Sequence, residues 1–189
     1  VVRVDSFEVE SEQKPLKPSH LRGLHRAARQ MGKEALAEWS AADSDEDRFY
    51  AAPRAAMALY VMEEQESATQ VAHQSLGLAA QYPDNWNYGN AVHYAHTVLG
   101  LVALGRADVS AAIQALHASA AMPGSPQLHS FGPSMLLARE LLLLNQHRAV
   151  LDYFAQCAVF WSSGQAWLRV WRQKVLRKEI PNFTMHLYR

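Results

Sequence analysis

The sequence predicts an all-α protein, a stack of antiparallel helix pairs, on three observations. Apolar residues recur at helical spacing through most of the chain. Prolines and glycines interrupt that pattern at short intervals, as turns between helices do. No segment after residue 18 alternates between apolar and polar residues as a strand does. With 189 residues, 49% of them hydrophobic, the chain can bury one sizeable core but hardly two.

The chain divides into an N-terminal arm over 1–18, one helical domain over 19–180 and a C-terminal tail over 181–189. The arm alternates weakly in apolar residues, which predicts a short strand or an extended segment. The second predicted helix starts at about Asp47; because Pro53 lies within its first two turns, a start nearer Ala52 is the alternative. We expect seven or eight helices. They cover about 19–39, 47–63, 67–81, 86–104, 109–121, 131–144, 147–161 and 165–178.

Capping and turn residues mark the boundaries of these helices. Ser19 follows Pro18 and is a suitable N-cap for the first helix. An acidic run over 43–47 precedes the second helix, near the positive end of its dipole. The later turns fall at 82–84, 105–108, 122–126, 145–146, 162–164 and 180–182.

Charge and cysteine content exclude several classes of protein. The 18 basic and 18 acidic residues cancel, which argues against a nucleic-acid partner bound by the whole chain. The single cysteine, Cys157, permits neither an internal disulfide nor a multi-cysteine zinc site. The longest apolar runs fall far short of the ~20 residues that span a bilayer. We recognise no secretory signal, and we expect a cytoplasmic protein with no membrane partner.

The charges are unevenly distributed along the chain. Between residues 67 and 168 there are only four acidic and three basic residues, whereas 169–178 contains five basic residues and no acidic one. The charge-poor stretch has two interpretations: helices that bury two faces each, or a large interface with a partner or a second copy. The second interpretation leads us to expect a homo-oligomer, with a homodimer as its simplest form. We interpret the basic segment as a capping helix rather than a membrane or nucleic-acid contact.

One window, 93–126, resembles a tetratricopeptide repeat (TPR). Leu99-Gly100 stands at the Leu-Gly position of the first helix, Ala112-Ile113 at the small-then-apolar step of the second, and Pro123 near the closing proline. Weaker windows over 134–163 and 57–83 have the same shape, so the resemblance covers roughly residues 50–163. His96 and Ala103 depart from the family pattern, and the spacing is not a strict 34 residues. The resemblance implies a TPR-like α-solenoid, although another stack of helical hairpins has the same local chemistry.

The resemblance also implies a binding groove, because the first helix of each TPR pair lines the concave face. Arg54 and Arg139 are the natural anchors for a carboxylate on that face. The alternative is that the aromatic residues belong to the core and the arginines are solvated. The candidate groove residues are Arg54, Met57, Asn90, His93, Tyr94, Thr97 and Arg139.

Few residues suggest catalysis or metal binding. His93 and His96 share a helix face, but no helical zinc or di-iron signature accompanies them. Cys157 is a nucleophile only if a histidine lies beside it, and we interpret it as a buried structural thiol. We therefore predict no cofactor, no metal and no catalytic residue. The predicted function is non-catalytic binding of a peptide or partner protein in a helical groove. The alternative is a small-molecule- or metal-binding enzyme or sensor that uses His93 and His96.

Overall fold

The computed structural model describes residues 14–188, and most of the predicted arm lies outside that range. The described chain is all-helical, which confirms the predicted fold class of packed helix pairs. It contains nine α-helices and two short 3₁₀ helices, rather than seven or eight helices. The α-helices are α1 Pro18–Ala41, α2 Asp45–Val61, α3 Gln65–Gln81, α4 Tyr88–Gly105, α5 Val109–Ala120, α6 Pro126–Phe131, α7 Leu136–Leu143, α8 His147–Phe160 and α9 Gln165–Leu176.

Helices that are consecutive in sequence pack against each other from α1 to α5. Helix α4 also contacts α2 and α7. Helix α5 packs against α7 and α8, and α9 packs on α8. Small residues such as Gly100, which lies against Leu137 and Ala115, allow this close approach. None of the described helices combines the length and the apolar character needed to cross a bilayer.

Several helix starts differ from the prediction. Helix α1 begins at Pro18 with Lys17 at its N-cap position, so Ser19 lies inside the helix and does not cap it.

Helix α2 begins at Asp45, not near Ala52, because Ser44 caps it by accepting a hydrogen bond from the Asp47 amide. Pro53 is accommodated inside the helix.

The predicted helix over 131–144 corresponds to the shorter α7, and a separate helix, α6, precedes it over a segment that the sequence placed before the predicted helix. Ser125 caps α6 by accepting from the Leu128 amide, and Pro126 occupies its first turn. Gly132 then adopts φ 79°, a left-handed conformation that ends α6 before α7 begins at Leu136.

The described part of the C-terminal tail is integrated into the core. Phe183 and Leu187 are completely buried. The His186 carbonyl accepts from the Met135 amide, and the Leu187 carbonyl accepts from the Ser134 hydroxyl. The His186 ring lies 5.0 to 5.7 Å from the rings of three tryptophans, Trp161, Trp167 and Trp171. The tail therefore joins the end of α9 to the start of α7.

Candidate binding groove

A cavity of about 330 Å³ lies among α1, α2 and α4, and we call it the groove. Helix α6 and the C-terminal tail complete one side of it. Its lining is mainly apolar and aromatic. The lining residues are Ala28, Met31, Gly32, Ala35, Tyr50, Pro53, Arg54, Met57, Ala58, Val61, Trp86, Asn87, Asn90, Tyr94, Gln127 and Tyr188.

Small residues bring α1 close to α2 and form the apolar floor. Ala28, Gly32 and Ala35 stand four and three residues apart, so they share one face of α1. A Cβ atom at Gly32 would lie 3.1 Å from the Ala58 Cβ atom, so a larger residue there would push α1 away. Met31 borders this floor and is 60% exposed.

Four aromatic residues line the groove, and they are Tyr50, Trp86, Tyr94 and Tyr188. The Tyr50 and Trp86 rings stack with centroids 5.4 Å apart and planes 16° apart. The Tyr50 hydroxyl accepts from Asn85 Nδ2 at 2.9 Å, which fixes the stack, and Trp86 stays 50% exposed. Tyr94 comes from α4 and Tyr188 from the C-terminal tail. The Tyr188 hydroxyl lies 3.4 Å from Nδ1 of His25, which links the tail to α1.

A chain of side-chain amides forms the polar wall of the groove. Asn87 donates to the Phe49 carbonyl at 2.9 Å and accepts from Asn90 Nδ2 at 3.0 Å. Asn90 Oδ1 accepts from the Ser125 hydroxyl at 2.6 Å. Asn90 Nδ2 also donates to Gln127 Oε1 at 3.3 Å. This wall ties α2, α4 and α6 together and leaves the Gln127 NH₂ group without a partner among the described residues.

The two predicted carboxylate anchors already have acidic partners in the chain. Arg54 lines the groove and donates to both carboxylate oxygens of Glu38, at 2.8 and 3.1 Å. Arg139 lies outside the lining and contacts Glu140 at 2.7 Å. Both arginines are thus compensated by an acidic side chain of the same chain.

The other titratable group to note is Tyr60. Burial, with a smaller contribution from Glu140, raises the pKa of Tyr60 to about 12.

Of the seven predicted groove residues, four line the groove, two lie in the core and Arg139 lies outside the lining. Arg54, Met57, Asn90 and Tyr94 line the groove. His93 and Thr97 lie in the core instead, where the Thr97 hydroxyl donates to the His93 carbonyl.

The buried His93 ring connects three segments of the chain through hydrogen bonds. Its Nδ1 lies 3.0 Å from the Ser119 carbonyl, and its Nε2 accepts from the Ser134 amide at 2.9 Å. Because Nε2 must be an acceptor, the proton of the neutral ring sits on Nδ1. Burial lowers the pKa of His93 to about 4.

The structure gives the predicted metal alternative little support. Both ring nitrogens of His93 are engaged, and His96 is only partly buried. Burial chiefly, with His73 contributing, lowers the pKa of His96. Within residues 14–188 no three His, Cys, Asp or Glu side chains are grouped as metal ligands are. Cys157 is buried, and burial raises the pKa of its thiol.

Several groove residues escaped the sequence analysis. The α1 residues and Tyr188 belong to segments outside the repeat-like windows, so no helix register pointed to them. Trp86 stood in a polar and aromatic stretch, but its partner Tyr50 is 36 residues earlier, and only the fold brings the two rings together.

Comparison of this chain with family models, with curated proteins and with solved structures found no match. The TPR resemblance therefore stays a prediction, while the packing of helices in adjacent pairs is established.

Proposed function

We propose that this protein is a non-catalytic interaction module that binds a peptide segment of a partner protein in the groove. One observation carries the proposal: a mainly apolar cavity of about 330 Å³ whose lining includes the half-exposed Trp86. Cavities of roughly 300–1,000 Å³ with apolar walls and a few fixed polar groups are typical ligand sites. The volume suits a few apolar side chains of a bound segment.

The surroundings of the groove support binding rather than catalysis. The candidate nucleophile Cys157 is buried, and its raised pKa keeps the thiol protonated. The candidate base His93 is held in the core by two backbone groups. Neither residue lines the groove.

Selection of peptides from a displayed random library tests the proposal. Peptides selected on the unmodified chain are measured against Met31→Lys, which places a charge at the groove mouth. Val159→Lys is the matched control, because Val159 is 86% exposed on α8 and does not line the groove. We expect affinity to fall at least tenfold for Met31→Lys and to stay unchanged for Val159→Lys. Failure to select any peptide with this dependence would overturn the proposal.

We propose in addition that the chain forms a homo-oligomer in a cytoplasmic setting. Leu143 and Leu144, at the end of α7, are 48% and 46% exposed in the charge-poor part of the chain. Exposed neighbouring leucines are typical of a surface that another molecule covers. Light scattering of the purified chain tests this, since a monomer at high concentration contradicts it.

A further inference from the structure

We propose that Tyr188 is a lid on the groove: its ring is latched to His25 on α1, and its release admits the bound segment. This inference rests on the proposed function and concerns the regulation of the same site. Three observations support it: the position of Tyr188 in the lining, the weak contact that holds its ring, and the firm anchoring of the residues just before it.

Tyr188 brings the C-terminal tail to the wall of the groove. It lines the cavity together with Ala28 and Gly32 of α1. His25, whose ring meets the Tyr188 ring, stands three residues before Ala28, so these two residues share a face of α1. The Tyr188 ring therefore connects the tail with the α1 wall. Withdrawal of the ring from His25 would remove this part of the wall and widen the groove on the side of the tail.

The contact between Tyr188 and His25 is weak. The Tyr188 hydroxyl lies 3.4 Å from Nδ1 of His25, whereas hydrogen bonds to nitrogen typically span about 2.7–3.2 Å. The two rings meet edge to face, with centroids 5.9 Å apart and planes 72° apart. Both side chains are partly exposed, so water competes for the hydroxyl. Burial chiefly, with Glu140 contributing, raises the pKa of Tyr188, so the phenol is neutral at pH 7 and no ionic attraction strengthens the latch.

The residues just before Tyr188 are held more firmly. Leu187 is completely buried, and its carbonyl accepts from the Ser134 hydroxyl at 3.1 Å. The His186 carbonyl accepts from the Met135 amide at 2.6 Å. The backbone can therefore stay in place while the Tyr188 side chain rotates between staggered conformations. Such a rotation moves the ring without undocking the tail, as a lid requires.

A lid of this kind gives the groove two states, between which a ligand selects. A segment that fits only the widened groove binds when the Tyr188 ring is released. Its apparent affinity is then reduced by the fraction of chains in which the lid is open. Removal of the ring abolishes this penalty, so we expect the segment to associate faster.

A thiol placed behind the lid reports the position of the ring without any ligand. Ala28→Cys places the thiol about one turn from His25, and Met31→Cys places a control thiol at a residue that is 60% exposed. Cys157 is buried, so the added thiol accounts for the fast reaction with DTNB. We expect Tyr188→Ala to raise the rate at position 28 at least fivefold and to leave the rate at position 31 within twofold.

The variant Tyr188→Phe separates the hydroxyl from the ring. It keeps the ring and removes the latch, so we expect the rate at position 28 to rise at least twofold, but less than in Tyr188→Ala. An unchanged rate in Tyr188→Ala, or an equal rise at position 31, overturns the lid. An unchanged rate in Tyr188→Phe overturns the latch to His25. Circular dichroism melts of each variant establish that a faster reaction does not come from unfolding.

The outcomes separate this inference from the function on which it rests. In stopped-flow measurements, peptides selected on the unmodified chain should associate at least threefold faster with Tyr188→Ala and at an unchanged rate with Val159→Lys. Unchanged association with Tyr188→Ala overturns the regulatory role, while peptides that depend on Met31 keep the proposed function intact. If no displayed peptide depends on Met31, the proposed function fails and the role in ligand entry fails with it. The thiol rates then still decide whether Tyr188 is a lid.

Discussion

The Asn87 side chain donates a hydrogen bond to the Phe49 carbonyl oxygen, with an N···O distance of 2.9 Å. Phe49 lies four residues before Pro53 in α2. In a regular helix the amide of residue 53 would donate to that carbonyl, but proline has no N–H group. Asn87, at the start of α4, supplies the missing donor. The bond lets α2 accommodate its internal proline and fixes α2 against α4 beside the groove.

This relationship predicts a thermodynamic coupling between Asn87 and Pro53. We expect Asn87→Ala to lower the free energy of unfolding by about 1–3 kcal/mol, because it leaves a buried carbonyl unsatisfied. In a Pro53→Ala background the new amide donates to Phe49, so the same substitution should cost clearly less. Urea unfolding of the four proteins measures the coupling. Equal costs in the two backgrounds would show that Asn87 does not serve this carbonyl.

His93 predicts a loss of stability in mild acid. Its pKa is 6.5 in an unfolded chain and about 4 in the folded one. Above pH 6.5 both states are neutral, and this residue adds no pH dependence. Between pH 6.5 and 4 the unfolded chain takes up a proton that the folded chain does not, so stability falls as pH falls. This difference in pKa corresponds to a loss of folding free energy on the order of 3 kcal/mol.

Urea unfolding at several pH values, with His93→Gln as the test variant, measures this effect. We expect the variant to be less stable at pH 7.5 and to lose much less stability than the unmodified chain between pH 6.5 and 4. Some dependence should remain, because burial lowers the pKa of His96 in the same direction. His20→Gln is the control, since His20 is exposed. An unchanged pH slope in His93→Gln would contradict the assignment.

The fold class followed from the sequence because helical periodicity and turn residues are local signals. The boundaries of α6 could not be predicted, because six residues are too few to show a helical pattern of apolar residues. The alternative start of α2 near Ala52 was too late for a different reason. Proline normally disfavours a helix interior, and its tolerance here depends on Asn87, which is 34 residues away from Pro53.

The groove could be predicted only in part. Arg54 and Met57 on α2 and Asn90 and Tyr94 on α4 line the cavity, and the repeat resemblance had implied that these helices face a groove. His93 lies on the same helix as Asn90, but its ring is turned toward α5 and the segment before α7, where the Ser119 carbonyl and the Ser134 amide bind it. Periodicity does not distinguish those two faces when both are apolar.

We predict that alanine substitutions at two helical glycines have opposite effects on stability. Gly89, in α4, lies against the Gly124 backbone, and a Cβ atom there would overlap the Gly124 carbonyl. Gly77, in α3, has no atom within 4 Å of such a Cβ position. We expect Gly89→Ala to be destabilising by more than about 1 kcal/mol, and Gly77→Ala to be stabilising by up to about 1 kcal/mol through helix propensity. Thermal melts compare the pair, and a stabilising Gly89→Ala would contradict the close packing at 124.

We predict that the Cys157 thiol reacts only when the chain unfolds. It is completely buried on α8, and burial raises the pKa of its thiol, so little thiolate forms at neutral pH. A disulfide reagent such as DTNB should modify it at least about a thousandfold more slowly than an exposed thiol, since native chains open rarely. The rate should rise with urea as the unfolded fraction rises.

The variant Val159→Cys provides an internal control for this measurement. Residue 159 lies two positions further along α8 and is 86% exposed, so the variant carries one exposed and one buried thiol on the same helix. We expect one fast phase and one slow phase of equal amplitude, with the slow phase matching the unmodified chain. A fast reaction of the unmodified chain would instead mean that Cys157 is accessible in the native state, and it would reopen the possibility of a reactive cysteine at this position.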